Sequence, residues 1–253
     1  MATEERGCVL GRIEQMIRHT IWSSGSEGLV VGLSGGIDSA VAAALCCRAV
    51  GPEQVLGVSL PTSVTPPSDM EDAADLAAAL GIQHLIQPID PILAAYTGLE
   101  GYRETPYLNG NLMARTRMTV LYYYANRDHR LVCGTSNRTE YLLGYCTKFG
   151  DNAADLQPIL HLYKEDVYTL AADFPIPPAI ISKPPSAGLW HGQSDEQELG
   201  LTYPEIDAAL RSLQAHQWVA SGPVEEQILA KVKNSTHKRV ACPNLLAGHE
   251  GPE

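Results

Sequence analysis

Cationic side chains are scarce in this sequence of 253 residues. Lysine and arginine number 18 against 29 aspartates and glutamates, which gives a net charge of -11 at pH 7. Proteins that bind nucleic acids usually carry a basic face, so this charge balance argues against a nucleic-acid partner. It is compatible with a small ligand that carries phosphates, because such a ligand needs only a few local cations.

Long apolar runs are also missing. No stretch approaches the roughly 18 residues needed to span a bilayer, and the polar, acidic start of the chain does not resemble a signal peptide. We therefore expect a cytoplasmic protein with no membrane partner.

The six cysteines form no Cys-x-x-Cys pair, so a zinc ribbon or a thioredoxin motif is not supported, and we expect buried, reduced thiols.

What the chain does contain is an alternation of short apolar runs with segments of helical spacing. The apolar runs predict strands at 29–33, 55–60, 82–89 and 130–134. The helical spacing predicts helices near 4–22, 37–50, 68–80, 107–128 and 225–233, and a further helix that opens at 202 and contains Ile206 and Leu210. Strands and helices in alternation predict an α/β fold, namely a doubly wound parallel sheet flanked by helices, in a single domain. Capping-box patterns at Ser68–Glu71 and Thr202–Glu205 predict where two of the helices begin.

The first predicted strand leads into the glycine-rich turn Ser34-Gly35-Gly36-Ile37-Asp38-Ser39, and a helix follows. Unpaired N–H groups at the start of a helix attract anions, and two glycines let the backbone approach a phosphate closely. Asp38 would repel that phosphate unless a divalent metal ion lies between them. The turn therefore predicts a site for phosphate and metal.

Other glycine-rich turns have different residues. A kinase-type P-loop ends in Gly-Lys-Ser/Thr, and a dinucleotide fingerprint reads Gly-x-Gly-x-x-Gly; both patterns are absent here. The run Gly32–Gly36 also fits Gly-x-Ser-x-Gly, the nucleophile elbow of serine hydrolases. In that alternative Ser34 is the nucleophile, with Asp155 and either His191 or His237 as partners.

The run Ser-Gly-Gly-x-Asp-Ser resembles the pyrophosphate loop of N-type ATP pyrophosphatases. Further motifs narrow the resemblance: Gly-Thr-x-Asn-x-x-Glu from Gly134, Gly-Tyr-x-Thr-Lys-x-Gly-Asp from Gly144, the arginines Arg115 and Arg117, and two motifs within 185–200. Together they resemble ammonia-dependent NAD synthetase over roughly residues 5–240. The resemblance implies an adenine-nucleotide α-hydrolase-like fold and a ligase that makes NAD, AMP and pyrophosphate from deamido-NAD, ATP and ammonia through an acyl-adenylate.

The same resemblance implies roles for individual residues. Asp38, Glu140 and Lys164 would be catalytic, with Asp38 and Glu140 binding Mg²⁺. ATP, a co-substrate, would contact Gly32, Leu33, Ser34, Gly35, Gly36, Ile37, Asp38, Ser39, Thr135, Lys164 and Ser186. Deamido-NAD would contact Arg115, Lys148, Asp155, His237 and Lys238.

The resemblance also implies a homodimer, for which the helix at 107–128 is a candidate interface. We expect one synthetase domain over 1–253 without a glutaminase domain, so that free ammonia is the nitrogen donor, and a tail at 242–253 with little regular structure. Two further alternatives stay open: a different adenylating synthetase, and a nucleotide-binding module without catalysis.

Overall fold

The computed structural model describes residues 3–190 and 192–242. Within these residues the core is a four-stranded parallel sheet with the order β3-β2-β1-β4. The strands are β1 Gly28–Gly32, β2 Val55–Ser59, β3 Gln83–Ile86 and β4 Arg130–Cys133. The helices are α1 Thr3–Ser24, α2 Ile37–Val50, α3 Pro67–Leu80, α4 Asp90–Ala95, α5 Pro106–Arg127, α6 Arg138–Leu143, α7 Lys164–Ala171, α8 Pro178–Ser182, α9 Asp195–Leu199, α10 Tyr203–Ala215 and α11 Pro223–Asn234.

Both faces of the sheet are covered, which confirms the predicted doubly wound fold. Leu29 and Val31 pack into one apolar layer with α1, α2, α3 and α7. Val30 faces the opposite layer, where it packs with residues of α5 such as Met113. Burial on both faces explains why the strand appears in the sequence as an uninterrupted apolar run rather than as an alternation of apolar and polar residues.

A third apolar cluster lies outside the two layers of the sheet. It is formed mainly by α6, α10 and α11, with Ile206 and Leu210 fully buried and with Tyr163 and Tyr203 almost fully buried. This cluster holds α6 and the start of α7 together. Glu140 and Lys164 lie on those two helices.

The predicted elements agree with the structure except at certain ends. Strand β3 ends at Ile86 rather than 89, although Gln87 N still donates to Ser59 O at 2.9 Å. Pro88 has no N–H group and cannot continue the ladder. The capping box at Thr202 is confirmed, since Glu205 Oε2 accepts from the Thr202 backbone N–H at 2.9 Å.

The capping box predicted at Ser68 is wrong. Helix α3 begins one residue earlier, at Pro67, and Pro66 takes the cap position without a side-chain hydrogen bond. Proline suits the first helical position because its φ angle is already helical and it has no N–H group to leave unpaired. Ser68 therefore lies inside the first turn.

The strand order decides where a ligand can bind. The chain runs from β1 outward to β2 and β3, and then returns to β4 on the other side of β1. The loops that follow β1 and β4 consequently leave the same edge of the sheet in opposite directions. In open α/β sheets, ligands bind in the crevice at this switch point.

Two further expectations concern cysteines and membrane spans. Cys46 and Cys133 are buried as expected, but Cys8 and Cys242 are exposed, so the expectation of uniformly buried thiols is wrong. In the described ranges, no helix combines the length and apolarity that crossing a bilayer requires. Beyond Cys242, the predicted tail lies outside the described residues.

Candidate active site

The glycine-rich loop joins β1 to α2 and is held by its own hydroxyl groups. Ser34 Oγ accepts from Gly36 N at 3.2 Å, and Ser39 Oγ donates to Gly36 O at 2.9 Å. Gly35 has φ +77°, and a Cβ atom there would lie 2.4 Å from Asp69 O in the first turn of α3. Glycine is therefore required at position 35 both by the backbone conformation and by the contact with α3.

A buried lysine joins the two predicted carboxylates. Lys164 Nζ donates to Asp38 Oδ2 at 2.5 Å and to Glu140 Oε1 at 3.3 Å. The lysine is 2% exposed, so its charge requires these partners. The structure thus brings together the three residues that were predicted to be catalytic.

Asn137 connects the loop after β4 to the loop after β1. Its Nδ2 group donates to Asp38 Oδ1 at 2.9 Å, while its Oδ1 accepts from Glu140 N at 3.0 Å and caps α6. Sequence reasoning did not assign Asn137 a role in the site. Its place three residues before Glu140, in a capping-box pattern, was the signal available.

The charges in this cluster depend on one another. Burial lowers the pKa of the Lys164 ammonium, but the adjacent Asp38 and Glu140 carboxylates outweigh this effect and raise the pKa, so the lysine stays protonated. Burial, and to a smaller extent repulsion from the Asp38 carboxylate, raises the pKa of Glu140 to about 8. The Lys164 ammonium acts in the opposite direction and favours the charged form of Glu140.

A second group of residues surrounds the lysine and was not predicted. The Tyr203 ring lies 4.9 Å from Lys164 Nζ, and the Tyr203 hydroxyl donates to Asp195 Oδ2 at 2.9 Å. Tyr145 donates to Asp195 Oδ1 at 3.1 Å. Asp195 is 4% exposed, and these hydrogen bonds compensate for its burial.

Two predicted ATP contacts lie in segments next to this cluster. Thr135 is half-buried and follows β4 by two residues, at the same edge of the sheet as the glycine-rich loop. Ser186 is exposed, and both of its neighbours are held by Asp195: Asp195 N donates to Pro185 O at 3.3 Å, and Ala187 N donates to Asp195 Oδ1 at 2.9 Å.

Three of the residues predicted to bind deamido-NAD form a chain of contacts. Arg115 donates to Lys148 O at 3.2 Å, and Lys148 Nζ donates to His237 O at 2.6 Å. Lys238 Nζ donates to Gly144 O at 2.8 Å and to Cys146 O at 2.7 Å. The C-terminal segment therefore packs against the loop that follows α6.

The structure does not connect Asp155 to those three residues. Its carboxylate accepts from Val132 N at 2.7 Å and from the Tyr122 hydroxyl at 3.3 Å. Asp155 therefore borders β4 at the open side of that strand.

A serine-hydrolase site is not supported by these contacts. Ser34 Oγ is engaged with Gly36 N and Ser39 Oγ, while the Asp155 carboxylate is engaged beside β4. His191 lies outside the described residues. A triad requires the base within hydrogen-bond reach of the nucleophile, and the contacts found in the described part of the chain do not provide that arrangement.

The donor set fits a magnesium ion that is also held by phosphates. Asp38 and Glu140 supply two carboxylates that converge on one point, which Lys164 Nζ now contacts. Mg²⁺ in nucleotide sites is held by one or two carboxylates together with substrate phosphates. Among the described residues no cluster of three or more potential ligands forms a metal site of its own.

A doubly wound sheet whose first loop is rich in glycine, with two carboxylates and a buried lysine at the switch point, is the arrangement of an enzyme of the adenine-nucleotide α-hydrolase-like fold. The family model described as NAD synthase matches residues 9–242. An NH(3)-dependent NAD(+) synthetase of Methanoregula boonei is 63% identical, over 96% of this chain and 98% of that protein.

Solved structures point to the same family as the sequence matches. NMN synthetase from Francisella tularensis superposes with a TM-score of 0.87 at 37% identity, covering 97% of this chain and 99% of that one. NH3-dependent NAD synthetase from Campylobacter jejuni superposes with a TM-score of 0.81 at 31% identity, covering 95% and 99%. This chain belongs to the NAD synthase family.

Proposed function

We propose that this chain is an ammonia-dependent NAD synthetase and that the Asp38–Glu140–Lys164 cluster is its catalytic centre. The reaction converts deamido-NAD, ATP and ammonia into NAD, AMP and pyrophosphate. The observation that carries the proposal is the buried Lys164, whose ammonium is 2.5 Å from Asp38 and 3.3 Å from Glu140 beside the glycine-rich loop.

In the first step a carboxylate oxygen of the nicotinate attacks the α-phosphorus of ATP, and the bond to the β-phosphate oxygen breaks. The loop amides from Ser34 to Ser39 hold the departing pyrophosphate, since N–H groups at the start of α2 face an anion. Lys164 stabilises the negative charge that develops on the phosphate oxygens. It supplies the cation that the loop itself lacks.

In the second step ammonia attacks the carbonyl carbon of the acyl-adenylate. The bond from this carbon to the AMP oxygen breaks, AMP leaves with the bonding electrons, and the nitrogen loses a proton to give the amide. Water would hydrolyse the intermediate, so the site must be shielded. We propose that the segment around Ser186 provides that shielding, a role supported by the hydrogen bonds between this segment and Asp195.

We propose that Asp38 and Glu140 hold Mg²⁺ together with the phosphates of ATP. The ion would neutralise phosphate charge and polarise the α-phosphorus.

For the other substrate, we propose that Arg115, Lys148 and His237 bind deamido-NAD, because their contacts with one another bring two cations close together. Asp155 and Lys238 are proposed as further contacts of this substrate.

We also propose a homodimer in the cytoplasm, acting as a single synthetase domain on free ammonia. Tyr107 and Tyr123 on α5 are 76% and 63% exposed, and large exposed aromatic side chains are typical of interfaces. Sedimentation at micromolar and nanomolar concentrations, combined with activity measurements, tests the dimer. A fully active monomer would contradict it.

The function is tested by incubating the protein with ATP, Mg²⁺, deamido-NAD and ammonium while measuring NAD and pyrophosphate together. We expect the two products in equal amounts, no NAD when glutamine replaces ammonium, and loss of both in Asp38→Ala. Because one structural neighbour is named NMN synthetase, nicotinic acid mononucleotide is assayed in parallel. Faster amidation of the mononucleotide would change the substrate assignment and leave the chemistry intact.

Pyrophosphate release without either amide would indicate a different adenylating synthetase. If no pyrophosphate forms and ester hydrolysis is lost in Ser34→Ala, the hydrolase alternative is correct. Nucleotide binding without turnover would indicate a non-catalytic module.

A further inference from the structure

Lys183 contacts the glycine-rich loop from a distant part of the chain. It follows α8, and its Nζ donates to Gly35 O at 3.2 Å and to Asp69 Oδ1 at 2.9 Å. The same ammonium forms an ion pair with Asp72. The Lys183 side chain therefore joins three segments: the glycine-rich loop, the first turns of α3, and the irregular segment that leads from α8 to Ser186.

The contact with Gly35 determines how one peptide unit of the loop is oriented. In a trans peptide the carbonyl and the following N–H point in opposite directions, and the described residues contain no cis peptide bond. Because Gly35 O points toward Lys183, the N–H of Gly36 must point away from it. That N–H donates to Ser34 Oγ at 3.2 Å within the loop, a long hydrogen bond that a phosphate oxygen can replace.

The three acceptors around Lys183 match the three N–H donors of an ammonium group. Burial lowers the pKa of Lys183, but hydrogen bonds to Asp72 and Asp69 outweigh it and raise the pKa. The lysine therefore stays charged and bound to protein atoms. Its partners lie away from the proposed metal site, whereas the partners of Lys164 are the proposed metal ligands.

Lys183 also links the loop to the segment predicted to contact ATP. Pro184 and Pro185 stand between Lys183 and Ser186, and proline restricts the backbone. A fixed Lys183 therefore limits the positions that Ser186 can reach. Lys183 holds this segment to the glycine-rich loop at one end, and Asp195 holds the residues on either side of Ser186.

We propose that Lys183 is a positioning residue for the phosphates of ATP: by holding the Gly35 carbonyl and the acidic first turns of α3, it aims the Gly36 amide at the pyrophosphate and fixes the segment that carries Ser186. This inference rests on the proposed function, because it assumes that the loop binds the phosphates of ATP.

The test compares Lys183→Met with Lys183→Arg, and uses Lys233→Met on the exposed side of α11 as a matched control. Binding of ATP and of inorganic pyrophosphate is measured by calorimetry, and the KM values for ATP and deamido-NAD are measured separately. We expect Lys183→Met to weaken both ATP and pyrophosphate binding about tenfold, since the loss of one hydrogen bond from a charged group changes an equilibrium by that order. The KM for deamido-NAD should change less than about twofold, Arg should restore most of the affinity, and the control should match the wild type.

Unchanged affinity for ATP and pyrophosphate in a folded Lys183→Met variant would overturn the inference. An equal rise in both KM values with a lower Tm would also overturn it, because that pattern indicates a merely structural role. If Lys183→Met does not fold, Asp72→Ala removes one of the three partners and should weaken ATP binding in the same direction by a smaller factor; no change there would reject the proposal. Calorimetry does not depend on NAD formation, so weaker ATP binding in a protein that makes no NAD would refute the proposed function and support the role of Lys183.

Discussion

Lys164 donates to Asp38 at 2.5 Å across a separation of 126 positions in the sequence. Asp38 is the second residue of α2, which follows β1, whereas Lys164 is the first residue of α7. Each residue stands in the first turn of its helix, so the two helices direct their N-terminal ends toward one point. Positive helix ends and a lysine meet there, which is an environment suited to a polyphosphate.

Replacement of Lys164 by Met should reduce kcat by about 10²–10³-fold, the usual loss when a group that stabilises transition-state charge is removed. The KM for deamido-NAD should stay within a few-fold of the wild type. Steady-state kinetics with Lys231→Met as the control would measure both values. A kcat within threefold of the wild type would show that Lys164 is a structural partner of the carboxylates only.

Replacement of Gly35 by Ala should abolish ATP binding and lower the free energy of unfolding by more than the ~1–2 kcal/mol that a left-handed conformation costs a residue with a side chain. The added Cβ would lie 2.4 Å from Asp69 O. Gly25→Ala is a matched control because Gly25 has φ +69° with nothing within 4 Å of the added atom. Urea unfolding of both variants separates the backbone strain from the clash; equal losses would show that the contact with α3 is unimportant.

Replacement of Ser34 by Ala should leave most of the synthetase activity. Ser34 Oγ makes neutral hydrogen bonds at 3.2 Å to Gly36 N and to Ser39 Oγ, and a neutral hydrogen bond contributes about 1 kcal/mol. We therefore expect kcat/KM for ATP to fall about fivefold, measured by pyrophosphate release. Complete loss of activity would instead favour a nucleophilic role for this serine.

Replacement of Asp195 by Asn should destabilise the fold by about 2–3 kcal/mol, because the amide cannot accept from Tyr145 and Tyr203 at the same time as from Ala187 N. The KM for ATP should rise because the Ser186 segment is released. Thermal unfolding and kinetics would be compared with Tyr203→Phe, which removes one of these hydrogen bonds. If Asp195→Asn changes stability without changing the KM for ATP, the segment does not contact ATP.

Stability should fall as the pH drops below about 6.5, partly because of His84. Burial lowers the pKa of His84, whose Nε2 lies 2.8 Å from Ser59 Oγ behind the glycine-rich loop. Below the unfolded pKa of about 6.5 the unfolded chain binds more protons than the folded one, so the free energy of unfolding decreases with falling pH. Urea midpoints at pH 7.5 and 5.5 should differ less in His84→Gln than in the wild type.

The exposed His216→Gln serves as the control in that experiment and should retain the full pH dependence. A remaining pH dependence in His84→Gln is expected from His161, because burial, together with Arg12 and Arg138, also lowers its pKa. A midpoint difference in His84→Gln equal to that of the wild type would exclude a contribution from His84.

Much of the fold could be predicted from local patterns. The β1 run is apolar throughout because both of its faces are buried, and the Thr202 capping box is present as its pattern indicates. The Ser68 pattern failed because the neighbouring prolines Pro66 and Pro67 start the helix earlier. Local patterns thus predict elements well, and predict their ends less well where two start signals compete.

The sequence predicted only those residues of the site that it could assign from motifs. Asp38, Asn137 and Glu140 stand in recognisable motifs, but the contacts of Asn137, Asp195, Tyr203 and Lys183 join distant segments. Composition and spacing do not reveal such contacts. Lys183 in particular stands in a proline-rich stretch where the sequence indicates only an irregular connection.

The sequence by itself determined the alternation of strands and helices, because this depends on the spacing of apolar residues. It also determined the chemistry of the glycine-rich loop, because the residues of the loop are adjacent in the sequence. Only the tertiary structure decided that β4 returns beside β1 and that α7 brings Lys164 between two carboxylates. Strand order depends on the packing of helices against both faces of the sheet, and that packing is a property of the whole chain. A buried charged group such as Lys164 acquires its partners only through this packing.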